Sequence, residues 1–202
     1  MPAEPVETII GAVLAGGRGR RMGAPKGGIE LCGRPLIGYP LAAIAASGMQ
    51  AVVVAKGATA LPPLDVPVWL EPDEPTHPLL GIVSVLEQAG SPVVICGCDM
   101  PFVTPALLGH LARLEAPLAV PSVNGRLHPL IARYEPSLTE PLARALASRE
   151  PLQVAVARLE PTLVDEEELR RFGDPERLLF NVNTPADLAE AERLLELEKA
   201  GG

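Results

Sequence analysis

The chain alternates short, continuous apolar runs with longer stretches of helical spacing. Ile9-Ile10-Gly11-Ala12-Val13-Leu14 is an unbroken apolar run ended by glycines, the pattern of a strand buried on both faces. Ala51-Val52-Val53-Val54-Ala55 and Pro92-Val93-Val94-Ile95-Cys96 repeat it, and Val68-Trp69-Leu70 is a shorter version. Between these runs, residues 35–47 read as a helix, with Pro35 near its first turn and Gly48 just past its end. Residues 79–88 space their apolar positions as a second helix. Thr104-Pro105 and Thr184-Pro185 each open another, with threonine as N-cap and proline at the first helical position. The last of these runs through Glu190 and Leu194 towards Lys199. Strand and helix in alternation predict an α/β fold: a single Rossmann-like domain over residues 1–202, its sheet mostly parallel, with helices on both faces. Residues 58–67 and 71–78 are proline-rich loops, and no internal repeat or linker is evident. Ligands of such sheets sit outside the carboxyl ends of the strands. The residues just after Leu14, Ala55, Leu70 and Cys96 are therefore where a site is expected.

Composition narrows the function classes. Aromatic residues make up only 3% of the chain, so the core is built from Leu, Val, Ile and Ala, and no stacking platform for single-stranded nucleic acid is available. A net charge of −8 argues against a broad attraction to nucleic acid. No apolar run is long enough to span a bilayer, and the acidic, proline-containing start lacks the basic and apolar regions of a secretory signal. Cys32, Cys96 and Cys98 form no even disulfide set, which fits a reducing cytoplasm.

Against this acidic background one loop stands apart. Ala15-Gly16-Gly17-Arg18-Gly19-Arg20-Arg21-Met22-Gly23-Ala24-Pro25-Lys26-Gly27-Gly28 follows the first strand directly. Arg18, Arg20, Arg21 and Lys26, four of the chain's seventeen Lys and Arg residues, fall within it. Glycines let the backbone approach a ligand with its N–H groups turned inward, while clustered cations neutralise charge; together they suit a triphosphate. The loop is not a P-loop, because Gly27 and not Ser or Thr follows Lys26, and not a dinucleotide fingerprint, because Met22 stands at the third glycine position.

Asp99, in Cys96-Gly97-Cys98-Asp99-Met100-Pro101, lies just past an apolar strand and so at the carboxyl edge of the sheet. Mg²⁺ is usually held by one or two carboxylates, with water and substrate phosphates completing its shell; Asp99 meets that need, and a turn or N-cap aspartate is the structural alternative. Cys96 and Cys98 read as buried residues, since with Cys32 they make no four-ligand zinc site. His77, His110 and His128 show no metal spacing, and His110 reads as a surface or core residue. Asn181 and Asn183 are expected at the end of a short strand with their side chains on one face, where turn and cap chemistry is the alternative role. The acidic run Asp165-Glu166-Glu167-Glu168 reads as a solvated face.

Leu14-Ala15-Gly16-Gly17-x-Gly-x-Arg21-Met22 followed by Pro25-Lys26 resembles the signature of nucleotidyltransferases that join a nucleoside triphosphate to a phosphorylated acceptor. Residues 78–82, 98–101, 128–130 and Asn181-Val182-Asn183-Thr184-Pro185 extend the likeness to the molybdenum cofactor guanylyltransferase family, over nearly the whole chain. The resemblance implies GTP and molybdenum-molybdopterin as substrates, Mg²⁺ as cofactor, and proteins that deliver or receive the cofactor as further partners. It implies a nucleotide-binding N-terminal half, with Leu14, Ala15, Gly16, Gly17, Arg18, Lys26, Asp73 and Gly81 at the nucleotide and Asp99 holding the metal. Arg21 and Lys26 would act with Asp99 in catalysis. The C-terminal half would bind the acceptor, Asn181 and Asn183 at the pterin and His128 nearby. Two departures stand out: His77 replaces a glycine common before Pro-Leu-x-Gly, and Ala55-Lys56-Gly57 stands where the family tends to carry an asparagine. Base selection is therefore expected to rest on backbone groups. The alternatives are the same chemistry with CTP, a sugar phosphate or isoprenoid acceptor, or a nucleotide-binding module without catalysis.

Overall fold

The computed structural model describes residues 9–17 and 28–201, with the side chains of these up to residue 197. Its framework is one sheet of eight strands. β1 (Ile10–Leu14), β4 (Gln50–Lys56), β5 (Val68–Glu71) and β6 (Val93–Gly97) form its parallel centre, in the spatial order β6-β1-β4-β5. Beyond β6 the order continues with β9 (Ile131–Tyr134), β7 (Leu118–Val123) and β10 (Thr162–Val164), while β8 (Arg126–Leu127) pairs with β7. Only β9 and β8 run against the others. The sheet is thus mostly parallel, as expected, with one reversed strand inserted between β6 and β7.

Two apolar layers cover the sheet. Side chains alternate along each central strand, so Val13, Val53 and Val94 face one side while Ala12, Val52, Val54 and Ile95 face the other. The first side packs against α1 (Gly38–Ala46) and α3 (Pro105–Arg113), together with Leu169 and Leu178 of the one-turn helices α6 (Glu166–Leu169) and α7 (Pro175–Leu178). The second packs against α2 (Pro78–Ala89), α4 (Thr139–Ala147) and α5 (Leu152–Ala157). α8 (Pro185–Gly201) carries Ala191 into a third, smaller cluster with Leu31, Leu36, Phe102 and Val182. No helix among the described residues is long and apolar enough to cross a membrane.

The local signals explain most boundaries. Thr104 caps α3 by accepting the Leu107 amide at 3.3 Å, and Thr184 caps α8 by accepting that of Asp187 at 3.2 Å. Three expectations are corrected. Pro35 does not enter α1; it closes a small hairpin in which β2 (Glu30–Leu31) pairs with β3 (Arg34–Pro35) around Cys32 and Gly33, both at positive φ. No strand precedes α8: residues 180–183 have no ladder partner, and the bond from the Val182 amide to the Asp99 carbonyl, 2.9 Å, ties them to the loop after β6. The alternation nevertheless survives, with Val182 buried and Asn181 and Asn183 half-exposed. The acidic run is not merely solvated. Asp165 caps α6, Glu166 accepts the Asn124 amide at 2.8 Å, and Glu168 meets His110 at 2.8 Å.

Candidate functional site

The chain crosses from β1 to β4 on one side, then returns from β5 over α2 to β6 on the other side of β1. Strands diverging in this way open a crevice at their carboxyl ends. A cleft of about 250 Å³ lies there. Each central strand delivers its terminal residues to it: Leu14, Gly16 and Gly17 after β1, Lys56 at the end of β4, Glu71 at the end of β5, and Gly97, Cys98 and Asp99 after β6. The start of α2 closes one wall with His77, Pro78 and Gly81, and Leu130 closes another.

Backbone bonds stitch these ends together. The Ala15 amide donates to the Val54 carbonyl at 2.8 Å, and the Cys98 amide to the Leu14 carbonyl at 3.1 Å. The Gly97 amide donates to the Leu130 carbonyl at 2.9 Å. His77 caps α2, its Nδ1 accepting the Leu79 amide at 3.2 Å, so the histidine that departs from the family pattern shapes the cleft as a cap.

Glycines stand where carboxylates lie. A Cβ on Gly97 would stand 2.7 Å from Asp99 Oδ1, so the Asp99 side chain folds back over the space that Gly97 leaves open. A Cβ on Gly16 would fall 1.8 Å from Glu71 Oε1, and one on Gly81 would fall 3.0 Å from Glu71 Oε2. Glu71 therefore fits between the first loop and α2 because both neighbours lack a side chain. Burial pushes its carboxyl above the ordinary value, opposed by the nearby Lys56 ammonium.

Of the residues expected at the nucleotide, Leu14, Gly16, Gly17, Gly81 and Asp99 line this cleft. Ala15 is buried behind it. Arg18, Arg20, Arg21 and Lys26 lie outside the described residues. Asp73 is exposed and does not line the cleft; its carbonyl accepts from Lys56 Nζ. Glu71, two residues before it, lines the cleft. Alternation from the half-buried Trp69 points to it, since residues two apart on β5 share a face. Lys56 was likewise missed, although Val52, Val54 and Lys56 share a face of β4 by the same rule.

Asn181 and Asn183 do not line the cleft but flank it through the Val182–Asp99 bond. The Asn181 side-chain Nδ2 donates to the Leu179 carbonyl at 2.7 Å, and the Asn183 Nδ2 to the Asn181 carbonyl at 3.4 Å. His128 is half-buried between β8 and β9, outside the cleft lining. Cys96 and Cys98 are buried, as expected.

Among the described residues no cluster of three or more His, Cys, Asp or Glu side chains could cage a metal. A single strand-end carboxylate suits a cation that keeps most of its shell as water and substrate oxygen, and the oxygen donor of Asp99 fits Mg²⁺ in that way.

Comparison with known proteins agrees with this geometry. The MobA-like NTP transferase domain matches residues 11–162. A probable molybdenum cofactor guanylyltransferase of Chloroflexus aggregans is 35% identical over 190 residues, 88% of this chain and 90% of its own. The molybdenum cofactor guanylyltransferase of Cereibacter sphaeroides is 33% identical over 93% of this chain and 97% of its own. Among solved structures, the molybdopterin-guanine dinucleotide biosynthesis protein A of Archaeoglobus fulgidus superposes with a TM-score of 0.79 at 29% identity, covering 93% of this chain and 98% of that one. The 2-C-methyl-D-erythritol 4-phosphate cytidylyltransferase of Thermus thermophilus superposes with a TM-score of 0.66 at 20% identity, over 94% and 98% of the two chains. That likeness shows a shared fold across enzymes named for different bases, so the fold alone does not select one. With a domain match over most of its length and relatives of at least 30% identity along nearly all of it, the chain belongs to the molybdenum cofactor guanylyltransferase family, within the MobA-like NTP transferases, and is a nucleotidyltransferase.

Proposed function

We propose that the protein transfers GMP from Mg²⁺-bound GTP to the terminal phosphate of molybdenum-molybdopterin, giving molybdopterin guanine dinucleotide and pyrophosphate. The observation that carries this reading is the convergence of Asp99 with Gly16 and Gly17 in one cleft at the strand ends. A strand-end carboxylate is dispensable for a module that only binds nucleotide, and is needed where charge develops at phosphorus.

In the proposed reaction an acceptor phosphate oxygen attacks the α-phosphorus of GTP, the bond to the bridging oxygen breaks, and pyrophosphate leaves. The chain's work is positioning and charge neutralisation. Amides of the turn after β1 cradle phosphate oxygens, and Arg21 and Lys26 offset the negative charge of the triphosphate, with Arg18 and Arg20 sharing the β- and γ-phosphates. Glu71 replaces Asp73 as the carboxylate beside the nucleotide. Asp99 would hold the Mg²⁺, which supplies orientation of the phosphates and stabilisation of the transition-state charge. Asn181 and Asn183 face the acceptor side. The enzymes that use or carry the cofactor are the protein partners this activity calls for.

The test is transfer of label from α-labelled GTP onto molybdenum-molybdopterin, with pyrophosphate release measured in parallel. Equal amounts of labelled dinucleotide and pyrophosphate are expected, with Lys26→Ala slower by roughly 10²–10³-fold. GTP binding without pyrophosphate release in the presence of acceptor would make the protein a binding module, and transfer from CTP instead would replace the donor.

A further inference from the structure

Lys56 and Glu71 stand directly opposite each other in the parallel ladder of β4 and β5. Their side chains are only 10% and 7% exposed. Charges withdrawn this far from water need partners, yet the pair is loose: Lys56 Nζ lies 4.0 Å from Glu71 Oε1. The ammonium spends its hydrogen bonds on the backbone instead, donating to the Pro72 carbonyl at 2.9 Å and also to the Asp73 carbonyl. It thus fastens the first two residues of the β5–α2 segment while remaining the cation nearest Glu71 among the described residues. Glu71 receives no hydrogen bond from the protein among the described residues, its one partner there being that ammonium. Wedged against Gly16 and Gly81, its carboxylate lines the cleft with acceptor positions that no described residue fills. A nearly buried carboxylate in that state calls for donors from a ligand.

We infer that Lys56 is a positioning residue for the base of the donor nucleotide, pinning Glu71 so that its carboxylate accepts the adjacent N1–H and N2–H donors of guanine. This rests on the nucleotide-donor reading of the cleft. The chemistry discriminates between bases. Guanine offers two neighbouring donors on one edge, which a carboxylate meets with both oxygens, as it meets a guanidinium. Cytosine, adenine and uracil each place a single donor group beside ring-nitrogen or carbonyl acceptors on the corresponding edge, and a carboxylate repels those acceptors. A site built to receive two donors also rejects analogues that lack one, because its buried acceptor is left unpaired. Lys56 acts through Glu71 and the backbone at residues 72 and 73, without a place in the phosphoryl chemistry.

The test measures binding of Mg²⁺-GTP and Mg²⁺-ITP, which lacks the exocyclic amine, to the wild-type chain, Lys56→Met and Lys56→Arg, with Tm recorded for each. The wild type should prefer GTP by about tenfold. Lys56→Met should lose at least about tenfold in GTP affinity and most of the GTP-over-ITP preference, and Lys56→Arg should restore both. An unchanged preference in Lys56→Met, or equal loss of both nucleotides, overturns the inference. Glu71→Gln, which keeps one acceptor and turns the other into a donor, gives an independent reading: it should abolish the preference, and a wild-type ratio there overturns the inference even if Lys56→Met does not fold. Absence of GTP binding to the wild type overturns the donor reading itself, a distinct result.

Discussion

The Val182 amide donates to the Asp99 carbonyl at 2.9 Å. This bond joins the segment carrying Asn181 and Asn183 to the loop carrying the proposed metal ligand, so the proposed acceptor and donor sides share one backbone contact. Val182 itself is fully buried beside Leu31, Leu36 and Phe102, which anchors the segment without a strand.

Asp187 holds that segment from the other side. Its Oδ2 accepts the amides of Asn183 at 2.9 Å and Thr184 at 2.8 Å, while its own amide donates to Thr184 Oγ1. This reciprocal cap is worth about 1 kcal/mol. Asp187→Ala should lower stability by that amount in denaturant unfolding and raise KM for the pterin acceptor. Its GTP affinity should stay unchanged, because Asp187 does not line the donor cleft.

Gly16→Ala tests the fit of Glu71. The added methyl would fall 1.8 Å from Glu71 Oε1, and the far end of a side chain can move aside more easily than backbone. The fold should therefore survive, with Tm within a few degrees of wild type, while nucleotide transfer falls by about 10²-fold because the cleft wall is displaced by about an ångström. Steady-state kinetics alongside thermal melts separate the two effects.

His128 gives the protein a pH-dependent stability. Burial, and next the Arg126 guanidinium, hold its imidazole below the ordinary value of 6.5. The folded chain then binds this proton more weakly than the unfolded chain does. The stability involved is fully present above pH 6.5 and is lost as pH falls from there through the folded value. Melting curves from about pH 8 to about pH 5 should show a steeper acid loss in wild type than in His128→Gln, whose side chain does not titrate.

How far the sequence revealed the molecule depended on whether a signal was local. The runs ending at Leu14, Ala55 and Cys96 were legible because strands covered on both faces are continuously apolar, and Thr104-Pro105 because a cap is written in adjacent residues. The hairpin around Cys32 and Gly33 was not: strands of two residues leave no periodicity, and a left-handed cysteine has no compositional mark. The reversed β9 was hidden for another reason. Ile131–Tyr134 is an apolar run like any other, and its direction is set by neighbours distant in sequence. Within the site, Gly16, Gly81 and Asp99 could be read from spacing and resemblance. Glu71 is legible by counting alternation from Trp69, whereas the resemblance alone pointed to Asp73, two residues on. Lys56 stands out in the sequence only as part of Ala55-Lys56-Gly57; the register of β4 against β5 is what sets it opposite Glu71.

The central claim is that the cleft beside Asp99 takes Mg²⁺-GTP as its donor. Calorimetric titration of GTP, CTP, ATP and UTP with Mg²⁺ into the wild-type protein and Asp99→Asn tests it most directly. GTP should bind at least about tenfold tighter than the other three, and Asp99→Asn should weaken it by a similar factor with the loss of a charged ligand. A preference for CTP, or GTP binding indifferent to Asp99→Asn and to removal of Mg²⁺, would contradict the account.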